Sequence, residues 1–593
     1  MSPQTYGISS RLIDVIIPAP WWHALTYECG IIPEFGARVV VPVGNTVRIG
    51  IAIGESKRDL PSYVKRIRRV INIIDEHNLI DEDLFKLAEW SGRESFCGTG
   101  SALRGILPVQ FFQGAELHER GFEFWGGLEN KFTHENFYNP LDGARFDFYI
   151  EQLEKNKRCL ILFPRHEEAA KFFQALPNNL RLSALLWRDD IWNKWQDVYY
   201  GTSRIVIAAP GGIFAPFKPE IIIIDGEADY SCYTLPADPK LSARDLAMKR
   251  AEILGAEFIT GGRLPSSKIF FNSSPDEILK TEREKIILAD INYSTVENIF
   301  GIDEDIALTK SLLKHTLECI ANDQNVFWIL NRHGLASEIF CQECGEILTC
   351  KKCGCVLRAE AGGEKLRCPV CGAREILPDH CENCGSKLFS GRRAGLDSWF
   401  EAAKKYFPNV KLYENKKLNL KKSALILGTS AILNLCENLK PGLIAWLNID
   451  SELSRPDYRT RFDVFNNLWS SYWRGRNKNS DRKVLIQARS KGIKFAEILL
   501  SGFKRFWQDE LSTRKDLDLP PYTSSFKIKC PVRFKDRIIK KLESENFFVM
   551  DSGEDDDPIW INTDRIDELR EILRPLFEIK YIMNAPEIEI FRE

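Results

Sequence analysis

Eight cysteines fall in four C-x-x-C pairs between Cys341 and Cys384, and each pair is followed by glycine. The pairs are Cys341/Cys344, Cys350/Cys353, Cys368/Cys371 and Cys381/Cys384. Two thiolates three residues apart grip one ion from a tight turn, and the following glycine supplies the backbone freedom that such a knuckle needs. Two pairs complete one tetrahedral four-thiolate site with no open position, so four pairs predict two structural Zn²⁺ ions. Cys350/Cys353 and Cys368/Cys371 are separated by fourteen residues, near zinc-ribbon spacing. Cys341/Cys344 would then join Cys381/Cys384 in a nested arrangement. A sequential pairing is also possible from spacing alone.

Disulfides and an iron–sulfur cluster are the rival readings. The only N-terminal apolar run is interrupted by Asp14 and Pro18, which argues against a secretory signal. Cys29, Cys97, Cys159, Cys232, Cys319, Cys355, Cys436 and Cys530 are scattered without paired spacing, as free thiols in a reducing cytosol are. Paired knuckles with glycines favour zinc over an iron cluster. The 593 residues predict several domains. No apolar run approaches the ~18 residues of a membrane span. A net charge of −2 gives no global sign of nucleic-acid binding, so any such reading rests on local patches.

Along the chain, residues 11–75 read as short strands with turns such as Gly44-Asn45, and 76–108 as helices. The polar stretch 114–137 reads as a linker. From 138 to about 286 the continuous apolar runs Cys159–Phe163, Ile205–Ala208 and Ile221–Ile224 mark parallel strands buried on both faces. A second set follows at Val326–Leu330, Ala424–Leu427, Leu443–Leu447 and Val484–Ile486, and the cysteine segment interrupts it after its first strand. The last residues, after Lys494, read as a smaller α+β piece.

This order resembles the primosomal protein N′ family, the PriA replication-restart DNA helicases of bacteria. The resemblance rests on Asn331-Arg332-His333-Gly334 leading into Cys341, on Ala243–Ala247, on Phe214–Lys218, on Leu519–Ser524, and on Val41–Gly44 with Arg48–Ile51. It implies a multidomain α/β protein. A β-rich DNA 3′-end-binding domain would occupy 1–113, with a linker at 114–137 too short for the family's winged helix. A first RecA-like helicase lobe would occupy 138–286. The second would run over 287–340 and 391–494, with a two-zinc ribbon module inserted at 341–390. An α+β C-terminal domain would fill 495–593. The resemblance also supports the nested zinc pairing.

The motor motifs that the family carries are degenerate here. A helicase needs a Gly-rich loop with a lysine for the phosphates, an acidic residue for magnesium, a carboxylate for water and an arginine for developing charge. No G-x-x-x-x-G-K-[ST] occurs in the chain. Leu141 stands at the lysine position and Asp142 at the threonine position, where a carboxylate would repel triphosphate. The Asp-Glu-Glu-His motif becomes Asp225-Gly226-Glu227-Ala228, so the magnesium position survives and the water-activating glutamate does not. Gly261–Pro265 replaces Gly-Ser-Ala-Thr-Pro. In Trp473–Asn477 the first arginine position is kept, as Arg474, and the second becomes Asn477. Each lost element is worth several kcal/mol in the transition state, so no ordinary ATP hydrolysis is expected. Asp225 and Glu227 read as leftover strand-end residues. An ATP-dependent 3′-to-5′ helicase with an atypical nucleotide site is the alternative.

For DNA, the densest N-terminal basic run is Lys65, Arg66, Arg68 and Arg69, joined by Arg48 and Lys57. Trp21 and Trp22 are candidates to stack a terminal base. The resemblance implies an acidic residue in the 3′-end pocket, and Thr26 stands at that position. Lys351, Lys352, Lys365 and Arg367 lie near the knuckles. The combined expectation is a cytoplasmic, nucleoid-associated monomer with no membrane attachment. It binds DNA forks and junctions and recruits other primosome or single-strand-binding proteins without a motor.

Overall fold

The computed structural model describes residues 11–18, 23–57, 67–116, 131–291, 306–331, 336–413, 423–577 and 587–591, apart from short gaps at 156, 188–190, 202, 233, parts of 342–372, 454–456, 478–479, 489 and 552–557. The chain forms two compact units. One comprises Met1–Asn139, Gly143–Asp276 and Leu511–Glu593; the other comprises Pro140–Asp142 and Glu277–Glu510. No helix among the described residues is long and apolar enough to cross a membrane.

The first unit begins with a five-stranded antiparallel sheet, in the spatial order Leu25–Cys29, Arg11–Ile16, Thr46–Glu55, Arg38–Val43, Asn72–Ile73. Gly44, at φ +57°, starts the two-residue turn that joins Val43 to Thr46. The chain from 68 to 74 then bonds to both edges. Val70 N–H donates to the Glu28 carbonyl on one side, and Ile71 N–H to the Val40 carbonyl on the other. The sheet is thereby closed, with Ile13, Val15, Val39, Val41 and Ala52 buried inside. Helices Glu82–Glu94 and Gly98–Ile106 follow, the first capped by Asp81 accepting from the Leu84 N–H. Arg38 joins sheet to helices. It is fully buried, forms a bidentate pair with Asp75 at 2.8 Å, and donates to the carbonyls of Phe111 and Ala115.

The same unit contains a six-stranded parallel sheet in the order Thr133–Tyr138, Glu257–Gly262, Ile221–Asp225, Cys159–Leu162, Ile205–Ala208, Ala184–Trp187. The three strands read from apolar runs are buried along their whole length, as expected when helices cover both faces. The linker reading extends too far. Residues 133–137 belong to the Thr133–Tyr138 edge strand, whose pattern is exposed at its start and buried only at Tyr138. A polar edge strand lacks the apolar run that reveals a central one. The Phe214–Lys218 and Ala243–Ala247 motifs have structural roles. Arg250, on the helix that begins with the second motif, donates to the carbonyls of Ile213, Ala215 and Phe217, and Lys218 pairs with Asp83 at 2.8 Å.

A four-stranded antiparallel sheet (Val549–Met550, Ile559–Thr563, Ser524–Lys529, Glu587–Phe591) with helices Val532–Ser544 and Ile566–Phe577 completes this unit. Phe96 enters its core, and Arg570 pairs with Glu94.

The second unit holds another six-stranded parallel sheet, in the order Ile286–Asp290, Lys483–Ala488, Leu443–Trp446, Val326–Ile329, Leu425–Gly428, Lys411–Leu412. The chain leaves it after Val326–Ile329 into a small five-stranded antiparallel sheet, ordered Arg374–Ile376, Lys365–Arg367, Arg358–Ala359, Ala336–Cys341, Phe389–Ala394. The helix Ile498–Asp516, assigned from sequence to the C-terminal piece, contains the boundary between the two units, at Glu510/Leu511.

Candidate metal centre, nucleotide site and nucleic-acid interface

The cysteine segment builds the same turn repeatedly. The N–H of Cys341 donates to the Glu346 carbonyl, that of Cys368 to Ala373, and that of Cys381 to Ser386, each five residues on, at 2.7–2.8 Å. Gly385, at φ +75°, closes the last of these turns. Strands Ala336–Cys341 and Phe389–Ala394 pair antiparallel with Cys341 opposite Phe389, which brings the first and last knuckles to one end of a ribbon. The sulfurs of Cys341, Cys381 and Cys384 lie within 4.8 Å of one another, and Cys341 Sγ is 3.5 Å from Cys384 Sγ. A disulfide needs about 2.05 Å. Thiolates at 2.3 Å from a tetrahedral zinc stand about 3.8 Å apart, so the donor set fits that ion. Cys350 and Cys368 are buried together in the module's own core with Leu357 and Leu366. Cys344, Cys353, Cys371, Cys355 and Lys352 lie outside the described residues. Lys351 pairs with Glu382 at 3.0 Å.

At the position where the resemblance implies a nucleotide site, helix Asp142–Glu154 follows the stretch aligned with the phosphate loop. It points Arg145 and Tyr149 at the end of the Ile221–Asp225 strand. Asp225 Oδ1 accepts from Arg145 Nε and from the Tyr149 hydroxyl, each at 2.8 Å, and all three residues are buried. Arg145 Nη1 also donates to the Asn139 carbonyl. Two residues on, Glu227 Oε1 accepts from the Tyr138 hydroxyl and from the Ser266 N–H, both at 2.8 Å, while Oε2 lies 3.3 Å from Arg244. Burial and the neighbouring Glu227 push the Tyr138 phenol well above its ordinary pKa, so it remains a donor. Gly226 sits at φ +67°, and a Cβ there would lie 2.6 Å from Pro164 Cγ. The backbone therefore resists the glutamate that a motor carries at this position. Gly261 is required by the same cluster, because a Cβ there would stand 2.1 Å from the Tyr149 hydroxyl.

In the second unit, Arg476 is buried and donates to the carbonyls of Tyr472, Ser480 and Arg482. Its guanidinium stacks over the Tyr472 ring at 3.8 Å. Burial lowers its pKa. The carbonyl of Arg474 accepts from Arg482, and Arg474 is itself buried.

The sequence candidates for DNA contact behave differently from one another. Arg48 is exposed near the hairpin tip. Arg68 Nη1 donates to the Gly44 carbonyl, and exposed Arg69 pairs with Glu28 at 2.9 Å. Trp21, Trp22, Lys65 and Arg66 lie outside the described residues. Thr26 stands directly opposite Asp14 in the antiparallel register, and its hydroxyl donates to Asp14 Oδ1 at 2.7 Å. Asp14 signals itself in sequence only as a charge interrupting an apolar strand. Arg145 and Tyr149 carry no signal there, since a charged residue in a helix pattern reads as exposed.

Removing one partner of a buried ion pair typically costs about 3–5 kcal/mol. Arg145→Ala and Asp225→Asn should each lower unfolding stability on that scale. The double variant should cost clearly less than the sum. Strictly additive losses in denaturant titrations would show that the pair is not formed.

Comparison with known proteins follows the same outline. Residues 14–108 match the 3′DNA-binding domain (3′BD) family. The replication restart protein PriA of Borreliella burgdorferi is 23% identical over 527 residues, covering 78% of this chain and 77% of that protein. The Rickettsia conorii protein of the same name is 23% identical over 575 residues, covering 87% and 86%. The Bacillus subtilis protein is 21% identical over 414 residues, covering 64% of this chain and 51% of its own length. The 3′BD match falls on the closed N-terminal sheet and its helices, and over most of its length the chain is a divergent relative of the PriA proteins.

Proposed function

We propose that this protein acts in replication restart by binding DNA forks and organising other primosome components, without a helicase motor. The observation that carries the non-motor reading is the Arg145–Asp225–Tyr149 cluster. A magnesium-binding carboxylate must be reachable by the ion and its phosphates. Here a metal approaching Asp225 would have to displace a buried guanidinium, at a cost comparable to breaking the pair. Leu141 offers the phosphates no charge, Gly226 offers water no base, and Asn477 offers no guanidinium at the second arginine position. On a forked substrate with a free 3′ end, ATP hydrolysis should stay at background while fork binding is tight and weakens with salt. Turnover that Asp225→Asn abolishes would overturn this reading. Turnover that survives the substitution would trace to a contaminant.

In the N-terminal domain, Thr26 and Asp14 together can perform the task of the acidic residue that the family resemblance implies. A hydroxyl has one proton to donate and two lone pairs. Because Thr26 gives its proton to the Asp14 carboxylate, its oxygen is left as an acceptor for a sugar 3′-OH. The negative charge behind it disfavours a 3′-phosphate. Discrimination between 3′-OH and 3′-phosphate ends should fall severalfold in Asp14→Asn and in Thr26→Ala, measured by competition binding. Unchanged discrimination in both variants would remove these residues from end recognition.

The metal reading completes the proposal. Cys341, Cys344, Cys381 and Cys384 would hold one zinc, and Cys350, Cys353, Cys368 and Cys371 the other, stabilising the ribbon without open coordination positions. Metal analysis should return two zinc ions per chain. Cys341→Ser should lower the count to one and leave the inner ribbon's protection from amide exchange in place. Iron, or a single ion in the unsubstituted chain, would contradict this.

A further inference from the structure

The zinc module carries a feature that its knuckles do not explain. Strands Arg358–Ala359, Lys365–Arg367 and Arg374–Ile376 pair antiparallel, with Arg358 opposite Arg367, Arg367 opposite Arg374, and Lys365 opposite Ile376. Ala359 and Leu366 are buried, so the alternation of a strand turns the arginines and Lys365 to the other face. Lys365, Arg367, Arg374 and Ile376 are exposed, and Arg358 is half-buried. Three arginine residues thus stand in one register row across three strands about 4.8 Å apart, with Lys365 on the same face. The one acid of these strands, Glu375, is opposite Leu366 and accepts from the Lys351 N–H.

Like charges directly opposite one another destabilise a sheet. A solvated face ordinarily interleaves the two signs, whereas among the described residues this one repeats a single sign along a register row. Guanidinium forks match phosphate oxygens two at a time. The row runs across the strands. A peptide adding to the Arg374–Ile376 edge would lie along them and meet only the outermost arginine. We propose that this arginine row binds the phosphate backbone of single-stranded nucleic acid crossing the ribbon, with Ile376 against a sugar or base at its margin. The site is separate from the Thr26–Asp14 pair and does not depend on it.

The test uses the zinc-loaded full chain and an oligothymidine blocked by a 3′-phosphate, so that end recognition does not contribute. Each phosphate contact to a single strand adds about 0.7 to the slope of log affinity against log salt concentration. Replacing Arg358, Arg367 and Arg374 together by Gln should flatten that slope by about 2 and weaken binding about tenfold or more at low salt, with zinc content unchanged. Replacing all three by Lys should keep most of the slope and lose part of the affinity, because the charge remains and the fork does not. Asp14→Asn should leave this binding unaltered. An unchanged slope in the Gln variant with zinc retained would overturn the proposal. So would equal competition by polyglutamate, which would make the row a surface for an acidic protein. If the triple Gln variant loses zinc, Arg367→Gln alone decides. A slope lower by about 0.7 supports the strip, and an unaltered slope refutes it.

Discussion

A carboxylate at the end of a strand buried on both faces must be paired, and Asp225 is paired from within the chain. Ile221–Ile224 lie in the middle of a parallel sheet with no exposure, so water cannot solvate the charge that ends this strand. In a nucleotide-driven motor, magnesium and phosphates share that compensation. Here Arg145 and Tyr149 supply it permanently. Pairing from within the chain lets the sheet hold this acid without a bound nucleotide. The site's electrostatic demand is met by residues of the following helix, and Glu227 is likewise satisfied by Tyr138, Ser266 and Arg244. Both acids therefore carry structural weight. The reading of leftover strand-end residues understates them.

The central strands of both parallel sheets were legible in the sequence because a strand buried on both faces must be continuously apolar. Thr133–Tyr138, Ala184–Trp187, Glu257–Gly262 and Ile286–Asp290 were not read as strands. They are short or lie at sheet edges, or carry polar residues that obscure the period. The site divides along the same line. Cysteine spacing is a covalent-scale signal, and the turns that begin at Cys341, Cys368 and Cys381 share one hydrogen-bond pattern. The partners of Asp225 and Thr26 come from tertiary juxtaposition: Arg145 is eighty residues away in sequence, and Asp14 twelve. No local pattern encodes such distances. In the basic run at 65–69, Arg68 and Arg69 also fasten the closing segment of the N-terminal sheet to Gly44 and Glu28.

The insertion of the cysteine module is inexpensive for the sheet that hosts it. The module leaves and returns on the paired strands Ala336–Cys341 and Phe389–Ala394. To the parallel sheet the intervening residues therefore amount to the closure of a hairpin, and loop-closure entropy grows only slowly with the length beyond it. The module also brings its own small core, formed by Ile339, Leu357, Ala359 and Leu366 around Cys350 and Cys368. Metal ligation by the knuckles would add stabilisation against the ordering entropy of the segment. A module with its own core and one paired neck folds with little dependence on the sheet that hosts it. This independence leaves the ribbon, with the cationic row on its face, unaffected by the inward pairing of Asp225.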